Sequence, residues 1–451
     1  MGRLFGTDGV RGVVGQEITC ELAMQLGKAA AMVLADGGSH PPVVVLGKDT
    51  RISGEMLGAA FSAGLCAAGA NVLDVGVLST PAVAYLTRKY KADAGVMISA
   101  SHNPWQFNGI KLFNKDGFKL PDELEEHIER LVLDQQSELL AASVEYIGTI
   151  EHSTTALRDY IEYLKDTAPC MLRGMKIAVD CANGSAAMSA KLLLEQLGAQ
   201  PELFGCEPDG LNINRGCGST HLEQLQEYVT SHPDIVAGVA FDGDADRCLF
   251  VDETGTEVDG DFIMAICGLN MLEKGKLSGN AIVGTVLTNL GFQQFCRRNG
   301  IAFEATKVGD RYVLEKMEQE GFALGGEQSG HIIFRQFATT GDGQLTAIQL
   351  LCLMQQKNMP LSELTKVMKK VPQVMENVKV SPTGKLRFYT NQPIEQAIEQ
   401  AKKQLGEGGR VLVRLSGTEP LIRVMVEGEK KEEIQQIATD LARVIATELA
   451  D

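Results

Sequence analysis

Basic charge is scarce in this chain: 42 Lys and Arg stand against 58 Asp and Glu, a formal net charge of −16. That balance excludes a general nucleic-acid binder, because phosphate backbones demand basic surface, and it discourages docking on anionic membranes. It leaves room for a small anionic substrate held by a local cluster of cations and backbone N–H groups. The ten cysteines contain no CxxC pair, so neither a zinc site nor a dense disulfide framework is indicated. Reduced, mostly buried thiols and a cytoplasmic location are the expectation. MGRLFGTDGVRG lacks the apolar run of a signal peptide, and Gly6 stands where myristoylation needs Ser or Thr. The longest apolar stretch, around 59–78, is rich in Ala and Gly and broken by Asn71 and Asp74. It reads as a buried helix followed by a strand and not as a membrane span. Fixed-period repeats and low-complexity linkers are absent. A Walker loop is absent too, since Gly47-Lys48 is followed by Asp49.

What is present is 451 residues, 44% of them apolar and 22% charged, a soluble globular composition long enough for several cores. Helical spacing over 18–35 precedes the apolar strand VVVLG (43–47), a helix near 54–69, and strands NVLDVG (71–76) and AGVMIS (94–99). Apolar strands separated by helices indicate a mainly parallel sheet covered on both faces. The rhythm restarts at MKIAVDCANGS (175–185) and again near AIVGTV (281–286), then changes near 371 into a small α+β pattern that ends in a helix over about 430–449. The expectation is three doubly wound α/β/α domains with mainly parallel mixed sheets plus a smaller C-terminal α+β domain, at 1–153, 154–255, 256–371 and 372–451.

Four motifs carry chemistry. In ISASHNPWQFNGIKLF (98–113) a strand runs into a turn holding Ser101, His102, Asn103 and Pro104. Open parallel sheets bind ligands beyond their strand ends, and a hydroxyl on such a turn can act as nucleophile or phosphoryl carrier. An ordinary polar turn would look the same. FDGDADR (241–247) sets Asp242, Asp244 and Asp246 at i, i+2 and i+4. Three carboxylates that close need a cation, and hard oxygen donors suit magnesium. A calcium EF-hand loop is the rival. Glu253 falls at its position twelve, but Arg247 occupies the obligatory glycine position and the flanks read as strands. In LGGEQSGH (324–331), Glu327, Ser329 and His331 alternate in a Gly-rich turn suited to sugar hydroxyls. In RLSGTEPLIRV (414–424), Arg414, Ser416, Gly417, Thr418 and Arg423 have the makings of a phosphate cradle.

In this order and spacing the four motifs resemble the α-D-phosphohexomutase superfamily over essentially the whole chain. FGTDGVRG (5–12), DGLNINRGCGSTH (209–221), TKVGDRYV (306–313) and SGTEPLIRVMVEG (416–428) make it most similar to the bacterial phosphoglucosamine mutases. The resemblance implies four domains around a central cleft and a phosphoserine at Ser101. It implies one Mg²⁺ held by Ser101 phosphate, Asp242, Asp244 and Asp246. Arg11, His102, Lys111 and Arg247 would lie at the transferred phosphoryl, with Lys111 a candidate acid/base. Glu327, Ser329 and His331 would meet the sugar, and Arg414, Ser416, Gly417, Thr418 and Arg423 the other phosphate. The implied reaction interconverts glucosamine 6-phosphate and glucosamine 1-phosphate, feeding UDP-N-acetylglucosamine and cell-wall precursors, with glucosamine or glucose 1,6-bisphosphate as intermediate or activator. The alternatives are a glucose or mannose phosphate mutase, a phosphosugar sensor without turnover, and a metal-dependent phosphatase. A homodimer is compatible with this reading, which leaves the oligomeric state open. One departure is visible: Trp105-Gln106-Phe107 replaces the acidic neighbour that often precedes NGIK.

Overall fold

The computed structural model describes residues 3–6, 8–34, 40–139, 141–416 and 420–450. The first sheet holds β1 (Phe5–Gly6), β2 (Gly9–Val13), β3 (Val43–Lys48), β4 (Asn71–Val77), β5 (Ala94–Ile98), β6 (Phe107–Asn114) and β7 (Ile150–His152), ordered β1-β2-β6-β5-β3-β4-β7. β3 pairs in parallel with β4 and β5, and β7 extends that parallel half, while β1, β2 and β6 form an antiparallel wing. β6 is the element the sequence reading left inside a loop motif. Its residues 108–113 are all buried between neighbours on both edges, so its strand state is fixed by tertiary pairing and not by alternation.

The second sheet contains β8 (Lys176–Asp180), β9 (Gln200–Phe204), β10 (Ala237–Phe241), β11 (Cys248–Asp252) and β12 (Glu257–Val258), ordered β12-β11-β10-β8-β9. The third contains β13 (Ala281–Thr285), β14 (Ala302–Thr306), β15 (Leu324–Gly326) and β16 (Ile332–Phe334), ordered β14-β13-β15-β16. The fourth, β17 (Gln373–Lys379), β18 (Arg410–Leu415) and β19 (Leu421–Glu427), is wholly antiparallel with β19 central. The chain thus has three mixed α/β sheets and a smaller α+β sheet. It divides into two compact units, one of residues 1–287 and 301–366, the other of 288–300 and 367–451.

Packing in the first unit explains its Ala and Gly content. Helices Cys20–Leu34 and Ser53–Ala67 cross so closely that a Cβ on Gly27 would meet Phe61 O at 2.3 Å, and one on Gly64 would meet Met24 O at 2.1 Å. Their apolar faces cover Val44, Leu46, Val96 and Ile98 of β3 and β5, burying the strands that launch the site loops. In the second unit, Ile422, Val424 and Val426 of β19 pack with Ile434, Leu441 and Ile445 of helix Lys431–Glu448. No helix among the described residues is long and apolar enough to cross a membrane.

Candidate functional site

Three loops of the first unit meet where three strands end. β5 runs into Ser99-Ala100-Ser101, β10 into the hairpin Asp242–Arg247, and β15 into the turn Glu327–His331. Ser101 is buried with φ +53°, in the left-handed region that β-carbon-bearing residues rarely occupy, and Ala245 has φ +54°. Such backbone strain persists only where surroundings over-determine it. For Ser101 they do. Arg51 donates to Ser101 O (2.9 Å), Asn103 O (2.8 Å), Pro104 O (2.6 Å) and Phe107 O (3.0 Å). Asn214 Nδ2 donates to Ser101 O at 2.9 Å and Asn103 O at 3.0 Å. Ser101 N donates to Ser99 Oγ (2.9 Å), which donates to Asp49 (2.6 Å). The outcome is a hydroxyl aimed at Asp242, with Ser101 Oγ donating to Oδ2 at 2.6 Å.

Arg51 and Asp49 are themselves fully buried and paired at 2.8 Å. Burial, only partly offset by Arg51, pushes the Asp49 carboxyl above its ordinary value. Breaking a buried pair from one side costs about 3–5 kcal/mol. Arg51→Met is therefore expected to lose about that much in urea unfolding. The loss should grow as pH rises, because an unpaired, buried Asp49 is tolerated as the neutral acid and penalised once ionised. An unchanged midpoint at neutral pH would refute the scaffold role.

Asp242, Asp244 and Asp246 are buried, and each offers an oxygen within 4.8 Å of the others. Burial, then Asp246 and Asp244, push the Asp242 carboxyl well above the usual range. For Asp246 burial is outweighed by Lys111 and His331, and the carboxyl is held well below it. Asp244 Oδ1 and Asp246 Oδ1 are buried without a hydrogen-bond partner. Converging hard oxygens, two of them unsatisfied, fit a divalent cation, and this cluster can hold one.

The cations are built around that cluster. Pairing of β6 with β2 on one edge and β5 on the other places Arg11 opposite Gly109 and Lys111 opposite Met97, so Arg11 and Lys111 share a sheet face. Lys111 Nζ lies 2.7 Å from Asp244, 3.0 Å from Asp8 and 3.5 Å from Asp246. Burial would lower its pKa, but Asp244, Asp8 and Asp246 overrule it and keep the ammonium charged. Arg11 pairs with Asp8. Arg247 N donates to Asp242 Oδ1 at 3.2 Å. His102 Nδ1 lies 3.4 Å from Ser101 Oγ, and burial with Arg247 and Arg11 lowers its pKa to about 4, leaving a neutral ring at pH 7. His331 lies 3.6 Å from Asp246 and 3.4 Å from Asp310. Glu327 accepts from Gly309 N at 3.1 Å, and burial, with Asp310, raises its pKa. Ser329 sits half-buried in the turn closed by Gly330 N donating to Glu327 O.

Sequence reasoning did not single out Asp8, Asp49, Arg51, Lys119, Asn214 or Asp310. Lys119 joins Asp8 to Asp310, linking the β1–β2 turn to the start of helix Asp310–Glu320. The signal for Asp8, Asn214 and Asp310 lay in segments noted for other reasons, FGTDGVRG, DGLNINRG and TKVGDRYV, whereas Asp49, Arg51 and Lys119 lie outside them.

In the second unit, Arg414 and Arg423 stand opposite each other on β18 and β19, and Ser416 N donates to Leu421 O at 2.9 Å. Burial and then Arg423 lower the Arg414 pKa. Like charges facing across a ladder are unfavourable, and an anion relieves them. Gly417 and Thr418 lie outside the described residues.

Profiles described as phosphoglucomutase/phosphomannomutase α/β/α domains I, II and III match residues 2–138, 158–255 and 259–371, and the C-terminal domain profile matches 357–444. The phosphoglucosamine mutase of Caldanaerobacter subterraneus subsp. tengcongensis is 52% identical over 449 residues, covering 100% of both chains. That of Clostridium botulinum strain Kyoto is 50% identical, covering 99% of each. A phosphoglucomutase/phosphomannomutase family protein from Burkholderia thailandensis has the same fold, with TM-score 0.82 at 23% identity over 98% of this chain and 97% of that one. Aspergillus fumigatus N-acetylphosphoglucosamine mutase does so at TM-score 0.70 and 16% identity, over 99% and 96% of the two chains.

Proposed function

The chain belongs to the bacterial phosphoglucosamine mutase family of the α-D-phosphohexomutase superfamily, and from that premise we propose that it interconverts glucosamine 6-phosphate and glucosamine 1-phosphate through a phosphorylated Ser101. The observation that carries this reading is Ser101 Oγ, held in a strained backbone against Asp242 with Lys111 beside Asp244 and Asp246.

In the forward half-reaction the bond between phosphorus and Ser101 Oγ breaks, one forms to the oxygen of the free sugar hydroxyl, and the hydroxyl proton ends on Ser101 Oγ. The product is the sugar 1,6-bisphosphate. After it turns over, its other phosphoryl returns to Ser101 Oγ and the second monophosphate departs. Lys111 Nζ, Arg247 and Arg11 place positive charge around the transferring group, where positioning and electrostatics supply most of the rate. Asp242, Asp244, Asp246 and the Ser101 phosphate would hold a divalent cation, Mg²⁺ in this reading, which would neutralise charge on phosphoryl oxygens. Glu327, Ser329 and His331 orient the sugar. The segments 1–153, 154–255 and 256–371 each supply one loop to the Ser101 site, and the segment 372–451 carries the Arg414 loop.

Substrate choice is tested by kcat/KM for glucosamine, glucose and mannose 6-phosphates. A preference for the amino sugar above about tenfold, or 1.4 kcal/mol, is expected. Equal values would move the enzyme to the glucose or mannose phosphate mutases.

The facing Arg414 and Arg423, with Ser416, Gly417 and Thr418, hold the phosphate that is not reacting. Loss of a forked, charge-assisted contact costs on the order of 1.5–3 kcal/mol. Arg414→Ala is expected to weaken both directions about ten- to hundredfold. It should also release bisphosphate, so that activity declines over turnovers and recovers when sugar 1,6-bisphosphate is added. A loss in one direction only would contradict a shared phosphate site.

A further inference from the structure

The segment Thr167–Cys170 leaves helix Ala156–Thr167 and runs along one face of helix Gly343–Lys357. Three side chains about one helical turn apart hold it. Gln349 Nε2 donates to Thr167 O at 3.0 Å, Cys352 Sγ to Cys170 O at 3.1 Å, and Gln356 Nε2 to Pro169 O at 3.4 Å. The contact is returned, since Cys170 Sγ lies 3.6 Å from Cys352 O. Each thiol reaches the other residue's carbonyl, so the two cysteines meet in one reciprocal contact. All ten cysteines are free.

We propose that Cys170 and Cys352 are a reversible oxidation site that closes to a disulfide when the protein meets a peroxide. The order of events follows from exposure. Cys352 is buried, and burial pushes its thiol up to about 12, whereas Cys170 is partly exposed. A cavity of about 280 Å³ adjoins this contact, lined in part by Pro169, Gln349, Leu353 and Gln356, which flank the two cysteines in sequence. The Cys170 thiol gives up its proton as its sulfur attacks one peroxide oxygen, the O–O bond breaks, and the departing hydroxide takes that proton, leaving Cys170 sulfenic acid and water. The Cys352 sulfur then attacks the sulfenic sulfur, the S–O bond breaks, and the departing hydroxide takes the Cys352 proton as a second water. Two thiols lose two electrons and the peroxide gains them.

The bond would join residues 182 positions apart, a long loop whose closure restricts the unfolded chain most. It would fasten the lead-in to β8 to a helix that starts under the metal loop, where Gly343 N donates to Ala245 O at 3.0 Å.

The test counts thiols in the denatured full-length protein after reduction, removal of reductant, and treatment with hydrogen peroxide. The expected count falls from the ten of the sequence by two. Peptide mapping should find Cys170 joined to Cys352, thiol reductant should restore both, and the oxidised protein should melt several degrees higher than the reduced one. Cys170→Ser, at the more exposed position, should form no intramolecular cross-link at the same dose. Cys352→Ser should leave a Cys170 sulfenic acid that dimedone traps. An unchanged thiol count, a cross-link among Cys181, Cys206 and Cys217 instead, or the same two-thiol loss in Cys170→Ser would overturn the assignment.

Discussion

Ser101→Ala is expected to lose at least about 10³-fold in kcat, on the order of 4 kcal/mol of transition-state stabilisation, while keeping its fold. Without the hydroxyl no bond to phosphorus forms on the enzyme, so neither half-reaction proceeds. The neighbouring Ser99 cannot take over. Its Oγ is committed to Asp49 and to Ser101 N, and it belongs to the support of the loop. The structural cost is small because Asp242 keeps its bond from Arg247 N, and one hydrogen bond is worth about 1 kcal/mol. Equal melting midpoints with turnover near background would be the signature. Near-normal activity in the variant would end the phosphoserine mechanism.

Chelation is expected to remove turnover, and added Mg²⁺ to restore it. Asp242, Asp244 and Asp246 close on one another inside the protein, and like charges so placed are tolerable only with a cation or with protons. Asp244→Asn keeps the shape and the contact with Thr80, but removes one ligand charge and the 2.7 Å ion pair to Lys111. Its kcat should fall at least about a hundredfold, on the order of 2.7 kcal/mol. A readout independent of turnover is thermal: a cation that binds only the folded state adds about 2.7 kcal/mol at a hundred times its Kd. The parent should therefore melt at a higher temperature with Mg²⁺, and Asp244→Asn should respond much less. Full activity in excess chelator would contradict a metal role, and preferential activation by Ca²⁺ would revive the EF-hand alternative.

Much of this is legible in the sequence alone. Strands such as Val43–Lys48 and Ala237–Phe241 are short apolar runs closed by turn residues, and the Asp triplet declares itself by alternation. What stayed hidden has physical causes. An Arg between a strand and a helix reads as surface, yet Arg51 is buried because it spends its donors on four carbonyls of a loop about fifty residues away. Lys119 meets Asp310 across 191 residues, and no local pattern encodes such a pair. The positive φ of Ser101 and Ala245 could not be read either. Neither residue type favours that conformation, and tertiary hydrogen bonds impose it. Phe107–Asn114 looks like loop chemistry in sequence and becomes a strand only because Gly9–Val13 and Ala94–Ile98 flank it.

The most direct evidence on the phosphoryl carrier comes from mass spectrometry of the dephosphorylated enzyme after incubation with glucose 1,6-bisphosphate, before and after a chase with glucosamine 6-phosphate. One phosphoryl group should appear on the peptide containing Ser101 and then move to the amino sugar, yielding a 1,6-bisphosphate. A phosphoryl group on another residue, or its release as inorganic phosphate with no sugar bisphosphate formed, would contradict the mechanism.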